Sequence, residues 1–76
     1  MPILDRVEVF KTNVTDSFDA IKLKTILLKE FPHSKINFDL QDCDKILRIE
    51  GSQIPVSRVI QIIKHEGFHC QLLEEL

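Results

Sequence analysis

Two carboxylates, Asp16 and Asp19, stand three positions apart in the stretch "NVTDSFDAI". On a helix that spacing puts them one turn apart on one side. Two chemistries suit such a pair. As oxygen ligands they would suit a hard divalent ion. Ca²⁺ wants six or more oxygens and Mg²⁺ an octahedron, so Asp42, Asp44 and a carbonyl would have to contribute. As helix-start residues they would serve the backbone instead. Asp16 would accept the orphan N–H of Asp19, and both charges would favour the positive end of the helix dipole. Thiols and imidazoles form a second group. His65, His69 and Cys70 lie within six residues, and Cys43 stands elsewhere in the chain. These are zinc-type ligands, but there is no Cys-x-x-Cys, and Gly67 interrupts the path between the two histidines. Cys70, in phase with Leu72, also suits a small buried apolar position.

The elements that must position these residues follow from hydrophobic patterning. Residues 6–14, "RVEVFKTNV", are rich in β-formers and read as a strand, though the alternation does not fix the face of Val7 and Val9. Residues 16–31 read as a helix with an apolar stripe of Ala20, Leu23, Leu27 and Phe31, ended by Pro32. Residues 35–41 alternate cleanly, with Ile36, Phe38 and Leu40 on one face. "DCD" (42–44) is a turn. Residues 45–50 return as a strand with Leu47 and Ile49 in phase, and Gly51 stops it. Residues 55–66 form a second helix, with Pro55 at its first position, Val56, Val59, Ile60 and Ile63 buried, and Gly67 as a left-handed stop. Residues 69–74 make a last short strand.

This βαββαβ order predicts an α+β, ferredoxin-like sandwich, residues 1–76 forming one domain: a four-stranded antiparallel sheet in the order 4-1-3-2, with two helices on one face. The connections at 13–16, 42–44 and 66–69 then share one end of the sheet. That end collects Asp16, Asp19, Cys43, Phe68 and His69, and leaves His33 at the other.

The chain has 76 residues, 43% hydrophobic and 29% charged, with a net charge of −2. That is a globular balance. It argues against nucleic acid or an anionic membrane held by bulk charge. The outer positions of 45–50, Ile46, Arg48 and Glu50, also lack the stacking ring that RNA binding on such a sheet uses. The N-terminal stretch does not resemble a secretory signal and no apolar run approaches a membrane span, so a cytoplasmic chain with reduced thiols is expected. Two glycines cannot build a phosphate-cradling loop, and no nucleophile–base set stands out, so no enzyme is expected.

At "FKTNVTDSFDA", "DKILRIEG" and "PVSRVIQIIKHEGF" the chain resembles the heavy-metal-associated domains of copper chaperones and metal-pumping ATPases. The resemblance covers nearly all of the chain. Val14 and Thr15 stand at the Met-Thr positions of that family's Met-Thr-Cys-x-x-Cys loop, and Gly67-Phe68 at the end of its second helix. The two metal-binding cysteines fall on Asp16 and Asp19, which are hard ligands poorly suited to Cu(I). The resemblance thus implies the fold, a lost thiolate site, and docking on a protein partner, a domain of the same fold included. Its interaction edge would be Val14, Thr15, Phe18 and Phe68. No cofactor is expected. The alternative is a heavy-metal (Cu/Zn) binding or transport protein with altered ligands, a divalent ion held by Asp16 and Asp19 or by Cys43, His65, His69 and Cys70.

Overall fold

The computed structural model describes residues 6–75. Strand β1 (Arg6–Thr12) leads into helix α1 (Ser17–Glu30), then β2 (Lys35–Asp39), β3 (Ile46–Gly51), helix α2 (Val56–His65) and β4 (Cys70–Glu75). The four strands form one antiparallel sheet in the order β2-β3-β1-β4, which reads 4-1-3-2 from the β4 side. The arrangement is α+β and compatible with a ferredoxin-like sandwich.

Strand pairing settles the face that periodicity left open. Phe10 lies opposite Leu47 on one side and Leu72 on the other, and Ile49 lies opposite Ile36. These residues join Ala20, Leu23, Leu27, Val59, Ile62 and Ile63 of the helices in one core. Val7, Val9 and Lys11 therefore face the open side of the sheet. Glu8, in register with Ile49, faces the helices and is buried.

Several boundaries differ from the expected ones, each for a local reason. β1 stops at Thr12 instead of Val14. The Thr12 hydroxyl donates to the Lys45 carbonyl and accepts the Val14 N–H, which bends the chain inward. β2 stops at Asp39 instead of Gln41, because the Asp39 carboxylate accepts the Gln41 N–H and starts the turn early. That turn closes with Lys45 at φ +48° and its N–H on the Asp42 carbonyl. Gly51 is the last residue of β3 and not a stop beyond it: it pairs with Arg6, and a Cβ there would meet Ile54 Cδ1 at 2.8 Å. Pro55 is the N-cap of α2 and not its first residue. Its carbonyl accepts the Arg58 and Val59 N–H groups. β4 runs one residue later than expected and carries a bulge: Val9 faces Glu74 while Phe10 faces Leu72, leaving Leu73 unpaired.

The stop of α2 follows the expected chemistry. Gly67 takes φ +94°, its N–H reaches the Lys64 carbonyl, and the Phe68 N–H reaches back to Ile63. These two bonds make a Schellman motif, which satisfies carbonyls the helix leaves open and needs a residue tolerant of the left-handed region.

Candidate functional site

The three connections at one end of the sheet are tied together by hydrogen bonds and ion pairs. The Thr12 N–H donates to the Asp44 carbonyl at 3.1 Å, joining the exit of β1 to the β2–β3 turn. The His69 N–H donates to the Asn13 side-chain oxygen at 2.8 Å, joining the same exit to the start of β4. Lys22 and Glu66, 3.6 Å apart, link α1 to the end of α2, and Lys11 and Asp44, also 3.6 Å apart, link β1 to the turn.

At the centre of this end is the start of α1. Asp16 is the N-cap, with extended φ and ψ. Its Oδ1 accepts the Phe18 N–H at 2.7 Å, so the capped donor is the second residue of the helix and not Asp19 as expected. Its carbonyl accepts the Ala20 N–H, the first intrahelical bond. Asp19 sits in the first turn, where its charge complements the helix dipole. The pair thus serves the backbone, and one oxygen of Asp16 is already committed to it.

The four residues expected to form an interaction edge separate. Thr15 is exposed. Phe18 is 81% exposed, a phenyl ring standing in solvent on the first turn of the helix. Phe68 is half-buried and packs against the core. Val14 corrects the expectation: it is fully buried, because the bend after Thr12 turns it under the sheet edge into the core. Ile21, one turn beyond Phe18, is also largely exposed, so the apolar surface of α1 extends along the helix.

The Cys/His set does not assemble. Cys70 is buried in the core, and burial pushes its thiol up to about 12 against a small opposing pull from Lys64. It is a neutral apolar side chain and no thiolate ligand. His69 borders a surface hollow with Lys11, Asn13, Lys64, Gln71 and the protonated Cys70, whereas His65 borders another with Glu30, Arg58 and Gln61. Cys43 is exposed in the turn, and both cysteines are free. His33 lies with Phe31, Ser34 and Gln53 at the far end, as expected.

Among the described residues, the one group of three potential metal ligands is Asp42, Cys43 and Asp44, with ligand atoms within 4.8 Å of one another. It includes none of Asp16, Asp19, His65, His69 or Cys70. One Asp42 oxygen already accepts the Asp44 N–H at 2.8 Å, and Asp44 is engaged by Lys11. Three ligands on one exposed turn fall short of a structural zinc tetrahedron and of a calcium shell.

Sequence patterning missed one feature, the buried carboxylate of Glu8. It borders a hollow of about 610 Å³ with Arg6, Phe31, Ser52, Gln53, Ile54 and Pro55, at the end opposite Asp16. "RVEVF" gives no sign of it, since its alternation leaves the face of the valines open; the Phe10–Leu47 pairing is what turns Glu8 inward. Among the described residues no helix is long and apolar enough to cross a membrane. No family model, no curated protein and no solved structure matches the chain.

Proposed function

We propose that the chain is a ferredoxin-like, degenerate relative of the heavy-metal-associated domains that binds a protein through the start of α1 and carries no soft metal. The observation that carries this reading is Phe18, an aromatic ring 81% exposed between two carboxylates. An exposed ring flanked by Asp16 and Asp19 fits a partner with an apolar pocket rimmed by basic groups. The ring would supply affinity there, and the charges orientation and on-rate. A domain of the same fold with complementary charge is the kind of partner the resemblance implies. The protonated, buried Cys70 and the capping role of Asp16 support a start of α1 that does not act as a soft-metal site. Two free cysteines are in keeping with a reducing cytoplasm.

Two experiments test this reading. Competition titrations with Cu(I) and Zn²⁺ at pH 7 are expected to give no affinity tighter than about micromolar. Nanomolar binding that disappears in Cys43→Ser or Cys70→Ser would overturn it in favour of altered metal ligands. A photo-crosslinking residue in place of Phe18, used in growing cells, is expected to capture one protein, and the capture to be lost on adding Asp19→Lys. A capture pattern indifferent to that charge reversal rejects the docking surface.

A further inference from the structure

Among the described residues nothing pairs with the outer side of β2 or β4, and the two edges are defended differently. β4 is interrupted by the bulge at Leu73, and bulges discourage edge-to-edge association. β2 has none of this protection: its five residues, Lys35–Asp39, pair with β3 without a register shift and contain no proline. Its free edge runs beside a groove of about 250 Å³ between α1 and β2, bordered by Ala20, Ile21, Lys24, Phe38 and Leu40. Ile21 is 63% exposed there, although nothing in the monomer requires an apolar side chain at that position.

The sequence of β2, Lys-Ile-Asn-Phe-Asp, is complementary to itself when reversed. We propose that β2 is a self-association edge, on which a second copy of this chain adds its own β2 antiparallel about a twofold axis at Asn37. In that register Lys35 stands across from the second copy's Asp39, Ile36 across from Phe38, and Asn37 across from Asn37. Directly opposed residues of an antiparallel pair share a face. The two apolar pairs therefore fall on the helix side, where Ile36 and Phe38 already lie, and the charged pairs fall on the open side. Sliding the copies by two residues sets Asn37 against Asp39 or Lys35 against Asn37, and loses both charge pairs. Sliding by one would oppose residues of different faces. The complementarity thus selects one register.

The charges are available for this use. Lys35 and Asp39 are both exposed. Within the chain Lys35 faces Glu50 across the sheet, and Asp39 uses one oxygen for the Gln41 N–H, leaving the other. The same axis brings the exposed Ile21 of α1 toward the second copy, covering apolar surface the monomer leaves in water. The contact is isologous and closes as a dimer, so it does not propagate into fibres. It concerns the β2 edge and stands whether or not the start of α1 binds another protein.

The experiment is sedimentation of the full chain from roughly 10 μM to 1 mM, the range in which a small, partly polar interface associates. A reversible monomer–dimer equilibrium that weakens as salt is added is expected. Lys35→Glu and Asp39→Lys, each alone, oppose like charges twice per dimer and are expected to weaken association about tenfold or more. Mixing the two variants in equal amounts puts opposite charges across both pairs again and is expected to restore it. Lys35→Glu leaves the Asp39–Gln41 turn intact, so its effect does not depend on that turn. A monomer at every concentration overturns the proposal. So does a dimer that neither substitution weakens, or a mixture that associates no better than the single variants.

Discussion

Asp16 Oδ1 holds the Phe18 N–H at 2.7 Å, so the residue that caps α1 also fixes the backbone beneath the most exposed ring of the fold. The carboxylate's role is therefore separable into a hydrogen bond and a charge. Asp16→Ala removes both and is expected to cost about 1 kcal/mol, whereas Asp16→Asn keeps the acceptor and costs only a few tenths. Urea midpoints of the two variants, at unchanged m-value, check the difference. Equal losses would mean that the hydrogen bond contributes nothing.

The same geometry permits a test of the proposed lost metal loop. Asp16 and Asp19 are the N-cap and the third residue of α1, a placement where two thiolates would share one turn and sit at the positive end of the helix dipole. If these positions correspond to a lost soft-metal loop, the double variant Asp16→Cys, Asp19→Cys acquires Cu(I) affinity at least about a thousandfold above that of the unaltered chain, since paired thiolates select Cu(I) over carboxylates. Chelator competition under reducing conditions reads this directly. A folded double variant with no gain would place the resemblance in the fold alone.

Cys70 makes stability depend on alkaline pH. Its thiol is held at about 12 in the folded chain, against an ordinary value near 9. The folded state therefore binds the proton more tightly than the unfolded one, and unfolding releases it between those values. The stabilisation is complete below pH 9 and is lost progressively as pH rises from 9 towards 12, by on the order of 1 kcal/mol per pH unit. The chain has no tyrosine to titrate over the same range. The measurement is a difference between variants: Cys70→Ala is expected to show a flatter stability curve above pH 9, whatever its loss at neutral pH. Parallel curves would refute a buried neutral thiol.

Much of this fold was legible because its signals are local. Gly67 after an amphipathic helix announces a left-handed stop, and the chain uses it so, at φ +94°. The clean alternation of Ile36, Phe38 and Leu40 announces a half-buried strand. What could not be read depends on partners distant in sequence. Whether Val9 or Phe10 faces the helices is decided by the register with Leu47, 37 positions beyond Phe10, and nothing near Glu8 marks it for burial. Val14 departs from its expected place for the same reason. The resemblance puts it on the interaction edge, while the Thr12 hydroxyl, bonded to Lys45 across the sheet, turns it inward. Asp16 and Asp19 were recognisable as helix-start residues from their type and spacing. The exposure of Phe18 was not, since most large apolar residues enter a core.

Phe18 and Phe68 offer a contrast that separates surface from core at this end of the molecule. Phe18 stands in water and contributes almost nothing to the packed interior, whereas Phe68 follows the α2 stop and lies against the core. Phe18→Ser is expected to change stability by less than about 0.5 kcal/mol, as surface substitutions do, and to leave the backbone cap intact. Phe68→Ala removes a half-buried ring packed against the core and is expected to cost about 1–2 kcal/mol. Denaturant melts of the two variants measure these losses, and amide exchange at Gly67 and Phe68 shows whether the α2 stop loosens only in the second. If Phe18→Ser proves the more damaging change, the ring is packed in solution, and the docking surface assigned to the start of α1 is wrong.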